Sequence, residues 1–282
     1  MERYLVDLHI HTSETSGCGR VPGREVVRAY REKGYSGIAI TDHYGGFYFD
    51  TMRDLPWEEQ VSRYMRGYEE ALAEAKETDF RVYFGIEYRD RITDDDFLFF
   101  GIDRAFLLAN PDLHDVSVKE AAARVHAYSG VVFQAHPARV RYAMAMGDEL
   151  FMGFQHKFMA AHMRTGEQLP EIDWAERETL IGKPRQLTKL RVCNLREPES
   201  LDGIEVFNGN HTWALDTERT AQYLRDYPHF IRLSASDFHS YPAGMGGVYF
   251  DTLPKDDKEL TAMLKEDRIV DYRTSHGEIV TR

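Results

Sequence analysis

Histidine and carboxylate residues recur along the chain in short motifs that suit metal binding. The first is His9-Ile10-His11, at the end of the apolar run "LVDLHIHT". If that run is a strand, both imidazoles point to the same side, because side chains two residues apart in a strand share a face. Two imidazoles on one side can bind one cation. The pair alone is weak evidence, since a short HxH pattern is more often structural or exposed than ligating.

Further residues of these types end later apolar runs. They are His43 in "GIAITDH", Glu87 in "GIEYR", His136 in "QAHP", and Asp237 and His239 in "SASDFH". Each one alone is more readily explained as a capping, packing or loop residue. Together they favour a shared site, because unrelated structural residues would not all fall at the same ends of successive runs.

The runs that carry these residues alternate with amphipathic helical stretches. One helix is predicted within "PWEEQVSRYMRGYEEALAEAK", where apolar side chains recur at helical spacing from Val61 to Leu72 after Pro56. Short apolar strands that alternate with helices are typical of a parallel sheet covered by helices, either open or closed into a barrel. We favour a barrel, since its mouth can collect all of the candidate residues.

Residues 141–200 interrupt this alternation. A segment rich in methionine and aromatic residues is followed there by a basic segment with five cations: Lys183, Arg185, Lys189, Arg191 and Arg196. We interpret 141–200 as a helical subdomain inserted into a single domain that covers 1–282, because no linker-like composition marks a separate module. The basic segment is either a solvated face or a contact for substrate phosphate.

The overall composition restricts the function classes. The 282 residues are 43% hydrophobic, which is enough for a substantial core, and the formal net charge is -12. That charge argues against a protein that coats duplex nucleic acid. With neither a signal-peptide pattern nor a long apolar run, we expect a cytoplasmic protein without a membrane partner. Cys18 and Cys193 have no paired spacing, so neither a disulfide framework nor a cysteine zinc knuckle is indicated.

The ordered set of motifs resembles that of a known family. "DLHIHT", "GIAITDH", "GIEYR", "QAHP", "GIEVFNG" and "SASDFH" resemble the motifs of the PHP domain, the polymerase and histidinol phosphatase family of metal-dependent phosphoesterases. The resemblance spans roughly residues 5–240 and leaves 141–200 uncovered. It implies a distorted (β/α)7 TIM-like barrel with two or three divalent ions of Mn, Fe or Zn. Mixed imidazole and carboxylate ligands suit such ions without distinguishing among them.

The resemblance also implies which residues hold each ion. The first ion takes four ligands, of which Glu87 bridges to the second ion: His9, His11, Glu87 and Asp237. The second ion takes His136, and the third takes His43 and His239.

Two positions depart from the family's pattern. Asp96 stands where many members have a histidine, and an aspartate can still bind a hard or borderline ion, so we predict Asp96 as a ligand of the second metal. Ser16 stands where many members have a His or Asp for the third metal. Glu14 is the nearest acidic residue, and it is either a third-metal ligand or a surface residue.

Closely spaced metals suit phosphoester hydrolysis, because they lower the pKa of a bound water and stabilise the entering and leaving oxygens. The function implied is hydrolysis of phosphomonoesters of small metabolites or nucleotides by a metal-bound hydroxide. Two alternatives stay open: a 5′-3′ exonuclease or phosphodiesterase on short oligonucleotides, and a non-catalytic metal-binding interaction domain. The sequence contains neither a GxSxG elbow nor a GxxxxGK[ST] loop. The partner expected is a small phosphorylated substrate, and a homo-oligomer is left open.

Catalytic roles are predicted for Glu87, Asp237, His239 and Arg139. Arg139, like Arg20 and Arg89, lies just past a motif and can steady the substrate phosphate.

Residues beside the motifs are candidates for supporting roles. Asp42 is predicted either to orient a metal-bound imidazole, because such imidazoles commonly need a hydrogen-bond acceptor, or to cap the strand end. Glu205 in "GIEVFNG" is predicted to be structural, and Asn208 is a candidate contact for a ligand or for the substrate.

Overall fold

The computed structural model describes residues 3–144, 187–210, 214–215, 217–274 and 277–281. Most of the predicted inserted subdomain, including Lys183 and Arg185, therefore lies outside the described residues.

Parallel strands form the centre of the main sheet. They are β1 (Tyr4–Ile10), β2 (Gly37–Ile40), β4 (Arg81–Arg89), β6 (Val131–Gln134), β9 (Gly203–Asn208) and β11 (Ile231–Ala235). The short strand β3 (His43–Tyr44) pairs in parallel with the end of β4. These strands are buried on both faces, which explains why their sequences read as nearly continuous apolar runs.

Strand β5 (Asp96–Phe100) runs antiparallel between β4 and β6. Only residues 90–95 connect it to β4, and a connection that short cannot contain the crossover helix that a parallel neighbour needs. The parallel pattern predicted from the alternation is wrong at this strand. The reversal places Asp96 opposite Arg89, at the carboxyl end of β4.

Antiparallel strands extend the main sheet beyond β1. They are β12 (Gly247–Phe250), β13 (Ile269–Arg273) and β14 (Ile279–Thr281). A separate small sheet joins β7 (Arg139–Met144) to β8 (Leu187–Val192) and to β10 (Ala214–Leu215).

The helices between the strands are short. They are α1 (Gly23–Glu32), α2 (Gly46–Phe49), α3 (Trp57–Tyr64), α4 (Arg66–Ala75), α5 (Arg104–Ala109), α6 (Val118–Ala127), α7 (Thr217–Asp226) and α8 (Asp257–Lys265). The helix predicted after Pro56 forms as the pair α3 and α4, which meet at Met65. Val61 is buried as its pattern predicts, whereas Leu72 is exposed. Within the described part of the chain, no helix is long and apolar enough to cross a membrane.

The main sheet curls until its first and last parallel strands meet at their carboxyl ends. Phe238, three residues beyond β11, pairs with Ile10 at the end of β1. His11 N donates to Phe238 O at 2.9 Å, and Phe238 N donates to His9 O at 3.2 Å. This curled half-barrel is consistent with the predicted TIM-like barrel, while the exact (β/α)7 count stays a prediction.

Helix α4 packs closely against the loop that follows β1. The contact depends on Gly67, because a Cβ atom there would overlap Thr12 Oγ1 and would lie 2.8 Å from Asp42 Oδ2. Glycine therefore allows the helix to approach the carboxyl edge of the sheet, where the predicted metal ligands lie.

Candidate metal centre

The predicted ligands of the metal motifs converge at the carboxyl edge of the curled sheet. They are His9 and His11 at the end of β1, His43 at the start of β3, Glu87 in β4, His136 after β6, and Asp237 and His239 after β11. Their side chains range from fully buried at His9 to 19% exposed at His239. The topology thus places residues from distant parts of the sequence in one buried polar cluster.

The donor atoms of the predicted first-metal ligands lie at the separations expected around one ion. His9 Nε2 lies 3.2 Å from His11 Nε2. Asp237 Oδ1 lies 3.4 Å from His9 Nε2 and 3.2 Å from His11 Nε2, and Glu87 Oε1 lies 3.2 Å from His9 Nε2. Ligand atoms about 2.0–2.2 Å from one cation lie roughly 3.0–3.5 Å from each other. His9, His11 and Asp237 therefore form a set able to hold one ion, and Glu87 lies beside it.

Two carboxylate oxygens in the cluster lack the hydrogen bonds that buried oxygens normally accept. Glu87 Oε2 and Asp237 Oδ1 are buried, and within the described residues neither has a partner in hydrogen-bonding geometry, although imidazoles lie beside both. Buried polar atoms are almost always satisfied in folded proteins. Unsatisfied carboxylate oxygens that face imidazole nitrogens are suited to a cation, so the residues present fit the metals that the motifs imply.

Two further groupings share residues with the first. His136 Nε2 lies 3.2 Å from Glu87 Oε1, and with His9 these side chains form a second set able to hold an ion. The rings of His11, His43 and His239 form a third set, with centroids 4.4 Å apart for His11 and His43 and 4.3 Å for His11 and His239. Glu87 contacts members of all three sets, so it is placed to bridge ions. The ligands of each individual ion stay a prediction.

Glu205 orients His9. Its Oε1 lies 3.1 Å from His9 Nδ1, and because an ionised carboxylate only accepts hydrogen bonds, Nδ1 carries the proton and Nε2 presents its lone pair to the cluster. Glu205 Oε2 accepts His136 N at 2.9 Å and Asn208 Nδ2 at 2.8 Å. Sequence reasoning missed this role. The sequence signal that could have revealed it is the position of Glu205, a charged residue within the otherwise apolar strand "GIEVF".

Ser16 orients His11 in a similar way. The Ser16 hydroxyl donates to Asp42 Oδ1 at 2.6 Å, and it also lies 3.2 Å from His11 Nδ1. Since its single proton goes to Asp42, the hydroxyl accepts from His11 Nδ1, which leaves His11 Nε2 to face the cluster. Asp42 also accepts Thr12 N and Thr12 Oγ1, each at 2.7 Å. Asp42 thus supports His11 through Ser16.

Glu14 lies at the beginning of α1. Both of its carboxylate oxygens accept Gly23 N at 3.1 Å, and burial raises the pKa of its carboxyl to about 7. Among the described residues, none of the groupings that can hold a metal ion includes Glu14. Its predicted role as a third-metal ligand stays a prediction, and the observed contacts connect it to the helix instead.

Asp96 lies between two arginines. It accepts Arg89 Nε at 2.6 Å, Arg89 Nη2 at 3.0 Å and Arg139 Nη2 at 3.0 Å. Burial raises the pKa of its carboxyl, but the charge of Arg89, with that of Arg139, outweighs burial and holds the pKa well below its usual range. Asp96 Oδ2 is 4.0 Å from His136 Nε2, and Asp96 forms one grouping with His43 and Glu87. Its ligand role stays a prediction, and the observed contacts give it a second role in holding the arginines.

The two neighbouring arginines differ in their positions. Arg139 is buried, and its Nη1 lies 3.3 Å from His136 Nε2. Arg89 reaches the surface, where its guanidinium lies 5.6 Å from the ring centre of Phe47. Arg20, the third arginine proposed from the sequence, is exposed, and its backbone N donates to His239 O.

The charges of the cluster shift the pKa values of its own members. Burial lowers the pKa of His9, but Asp237, Glu87 and Glu205 outweigh it and raise that pKa well above its usual value. Burial also raises the pKa of Glu87, yet His43 and His9 hold it well below its usual range. A bound cation would compensate the carboxylate charges in place of any proton on its ligand atoms, since metal ligands must be deprotonated.

Two of the predicted ligands have strained backbones. His136 has a φ of 32° and Asp237 a φ of 51°, both in the left-handed region that residues other than glycine rarely adopt. Such conformations cost on the order of 1 kcal/mol or more each and persist where surrounding contacts impose them. Here the strain turns two side chains towards the cluster just beyond their strands.

An open cleft of about 400 Å³ lies beside the cluster. It is lined by Gly46, Phe47, Asp50, Thr51, Arg89, Arg91 and Asp94. The ring centre of Phe47 lies 6.2 Å from that of His43, so the cleft adjoins the third grouping.

Comparison with known proteins places this site in a family. No curated protein matches the chain. A two-domain protein from Bacteroides vulgatus, which contains a predicted PHP-like metal-dependent phosphoesterase, is 17% identical with a TM-score of 0.56 over 97% of this chain, and the match spans 65% of that longer protein. An amidohydrolase from Chromobacterium violaceum with bound sulfate and no metal is 16% identical with a TM-score of 0.48 over 93% of this chain and 96% of that one.

PsfC from Pseudomonas syringae is also similar, at 14% identity and a TM-score of 0.48 over 95% of each chain. The model of the PHP domain family matches residues 7–266, which include every residue of the metal cluster. The chain therefore belongs to the PHP domain family.

Proposed function

We propose that this chain is a metal-dependent phosphoesterase that hydrolyses phosphomonoesters of small metabolites or nucleotides. The observation that carries the proposal is the convergence of His9, His11, Glu87 and Asp237 within one buried cluster, where one oxygen of each carboxylate faces imidazole nitrogens. Membership of the PHP domain family supports the class of reaction.

The residues of the chain supply ligands, orientation and positive charge. Bound divalent ions supply activation of water and neutralisation of phosphate charge. Glu205 and Ser16 hold the imidazoles of His9 and His11 in the tautomer that presents Nε2 to the cluster. Fixing the tautomer before binding removes a reorganisation that would otherwise weaken metal affinity.

Arg139 is placed to hold the phosphoryl group. Its Nη1 faces His136 Nε2, so an anion beside that histidine would meet the guanidinium. Asp96 fixes both Arg139 and Arg89 through charged hydrogen bonds, which orient planar groups that recognise phosphate oxygens well.

The cleft beside His43 is suited to the alcohol part of the phosphomonoester, which is the leaving group of the hydrolysis. Its volume lies within the usual range for small-molecule sites, roughly 300–1,000 Å³. Phe47 offers an aromatic face and Arg89 and Arg91 offer positive charge, a combination that suits a small anionic metabolite or a mononucleotide.

Arg196, the one residue of the basic segment whose side chain is described, gives no specific support to the oligonucleotide alternative. Arg196, from the basic segment, is engaged in an ion pair in which its Nε lies 2.6 Å from Asp95 Oδ2. Lys183 and Arg185 lie outside the described residues. A short oligonucleotide is therefore one substrate in the test rather than a second proposal.

The test is a screen of phosphomonoesters with purified protein loaded separately with Mn²⁺, Fe²⁺ and Zn²⁺. The wild type and His229→Ala, which changes an exposed histidine outside the cluster, should release phosphate, while His9→Ala should lose at least about 100-fold in rate. Release of mononucleotides from an oligomer without phosphate release would favour the exonuclease. Metal binding without turnover of any phosphoester would overturn the proposal in favour of a metal-binding module.

A further inference from the structure

Asn208, at the end of β9, joins two carboxylates of the buried cluster. Its Nδ2 lies 2.8 Å from Glu205 Oε2 and 3.3 Å from Asp237 Oδ2, while its Oδ1 accepts Asn210 N at 2.9 Å. An ionised carboxylate only accepts hydrogen bonds and a backbone N–H only donates, so these contacts fix which end of the amide faces the carboxylates. Asn208 therefore donates towards both Glu205 and Asp237.

An irregularity in β9 brings Asn208 to the same side of the sheet as Glu205. Side chains three residues apart in a regular strand point to opposite faces. The pairing of β9 with β11 passes from Glu205 directly to Phe207 while β11 advances by one residue, so Val206 is an extra residue in β9. One extra residue reverses the alternation beyond it, and such bulges occur beside active sites, where they redirect a side chain. The bulge thus gives the amide its access to Glu205.

The contact with Asp237 determines which of its oxygens faces the imidazoles. Oδ2 lies towards the Asn208 amide, whereas Oδ1 lies 3.4 Å from His9 Nε2 and 3.2 Å from His11 Nε2. The torsion that turns an aspartate carboxylate is broad and roughly two-fold, so it does not fix the oxygens by itself. A hydrogen bond to Oδ2 opposes this rotation and keeps Oδ1 directed at the two histidines.

We propose that Asn208 is a positioning residue that couples Asp237 to Glu205 and, through Glu205, to His9. The inference rests on the proposed metal-dependent function. Glu205 Oε2 accepts the amide while its Oε1 lies 3.1 Å from His9 Nδ1, so one neutral side chain supports two members of the set able to hold the first ion. A substrate contact, the other role open to Asn208, would instead change substrate binding and leave metal affinity unaltered.

The experiment titrates metal-free protein with Co²⁺ in competition with a chromogenic chelator, and the visible absorbance of bound cobalt reports the geometry of its ligands. Asn208→Ala should bind Co²⁺ about 10-fold more weakly and with an altered spectrum. Asn208→Leu, which also excludes a replacing water, should lose at least as much, and Asn208→Ala alone decides the matter if the leucine variant does not fold. Asn110→Ala is the control and should match the wild type in both readouts, since its Nδ2 donates to Phe106 O outside the metal groupings.

A double-mutant cycle tests the coupling itself. Asn208→Ala combined with Glu205→Gln should lose less affinity than the product of the two single losses, because both changes act on the same contact. The inference is overturned if the two losses multiply, or if Asn208→Ala keeps the affinity and cobalt spectrum of the wild type. A raised KM with unchanged metal affinity would also overturn it, in favour of a substrate contact. The expected losses of affinity in a protein that hydrolyses no phosphoester would support the inference and contradict the proposed function.

Discussion

Glu205 Oε1 lies 3.1 Å from His9 Nδ1, and both side chains are fully buried. The contact joins residues 196 positions apart in the sequence and sets the tautomer of a metal ligand. Because residues that orient metal ligands typically contribute a factor of about 10–100 to metal affinity, Glu205→Gln should weaken binding by that factor. Competition with a chromogenic chelator measures the change.

The matched control for Glu205→Gln is Asp257→Asn, an equivalent carboxyl-to-amide change outside the metal groupings. It should leave metal affinity unchanged. An equal loss of affinity in both variants, or no loss in Glu205→Gln, would show that Glu205 does not orient the ligand.

Asp96→Ala should destabilise the protein by about 3 kcal/mol, because it leaves the buried charge of Arg139 and the partly exposed charge of Arg89 without their shared partner. Urea unfolding measures this effect. In the double variant Asp96→Ala with Arg139→Met, part of the loss should be recovered, since one unpaired charge is removed. If Asp96→Ala instead keeps its stability and loses one metal ion, Asp96 is mainly a metal ligand.

The residue types and chain order of the site follow from the sequence, whereas its long-range pairings do not. His9, Glu87 and Asp237 are recognisable because each falls at the carboxyl end of an apolar strand, and parallel strands bring such ends to one edge. The antiparallel direction of β5 depends on a short connection whose geometry becomes definite only when the neighbouring strands are in place.

The supporting contacts are harder to predict because they join distant segments. Asp96 resembles a metal ligand in sequence, yet its partners in the structure include Arg139, 43 residues away. Ser16 resembles a missing ligand, yet its hydroxyl links Asp42 to His11. In each case the residue type was informative, and only the folded arrangement shows which partner it meets.

Gly67→Ala should destabilise the protein by about 1–3 kcal/mol, because the added methyl group would overlap Thr12 Oγ1 in a closely packed contact. It should also weaken metal binding, since Thr12 and Ser16 share Asp42 as their acceptor. Ala73→Gly at an exposed position of the same helix is the control: it should cost about 1 kcal/mol of stability without changing metal affinity. A normal metal affinity in Gly67→Ala would contradict the prediction that packing at Gly67 supports the metal ligands through Asp42.

The stability of the protein should depend on the ionisation of Asp257. Burial raises the pKa of its carboxyl from 3.8 to about 6, while its Oδ1 accepts Phe84 N at 2.7 Å. The folded state therefore prefers the protonated form, and the stability contributed by Asp257 is fully present below pH 3.8 and lost as the pH rises through about 6.

Asp257→Asn keeps an acceptor for Phe84 N and removes the charge. At pH 7 the variant should exceed the wild type by about 1 kcal/mol, a value reduced from the full shift because the side chain is only partly buried. Near pH 4 the two proteins should be almost equally stable. Urea unfolding at both pH values measures the difference in stability. A variant less stable than the wild type at pH 7 would contradict the prediction that ionised Asp257 destabilises the folded state.

The most direct test of metal-dependent hydrolysis measures metal content and phosphate release in the same sample before and after chelation. Removal of metal should abolish phosphate release and lower the melting temperature, because an ion that binds only the folded state stabilises it. Return of Mn²⁺, Fe²⁺ or Zn²⁺ should restore both in the wild type and in His229→Ala, but not in His9→Ala. Phosphate release that persists in metal-free protein, or that His9→Ala retains in full, would contradict the central claim.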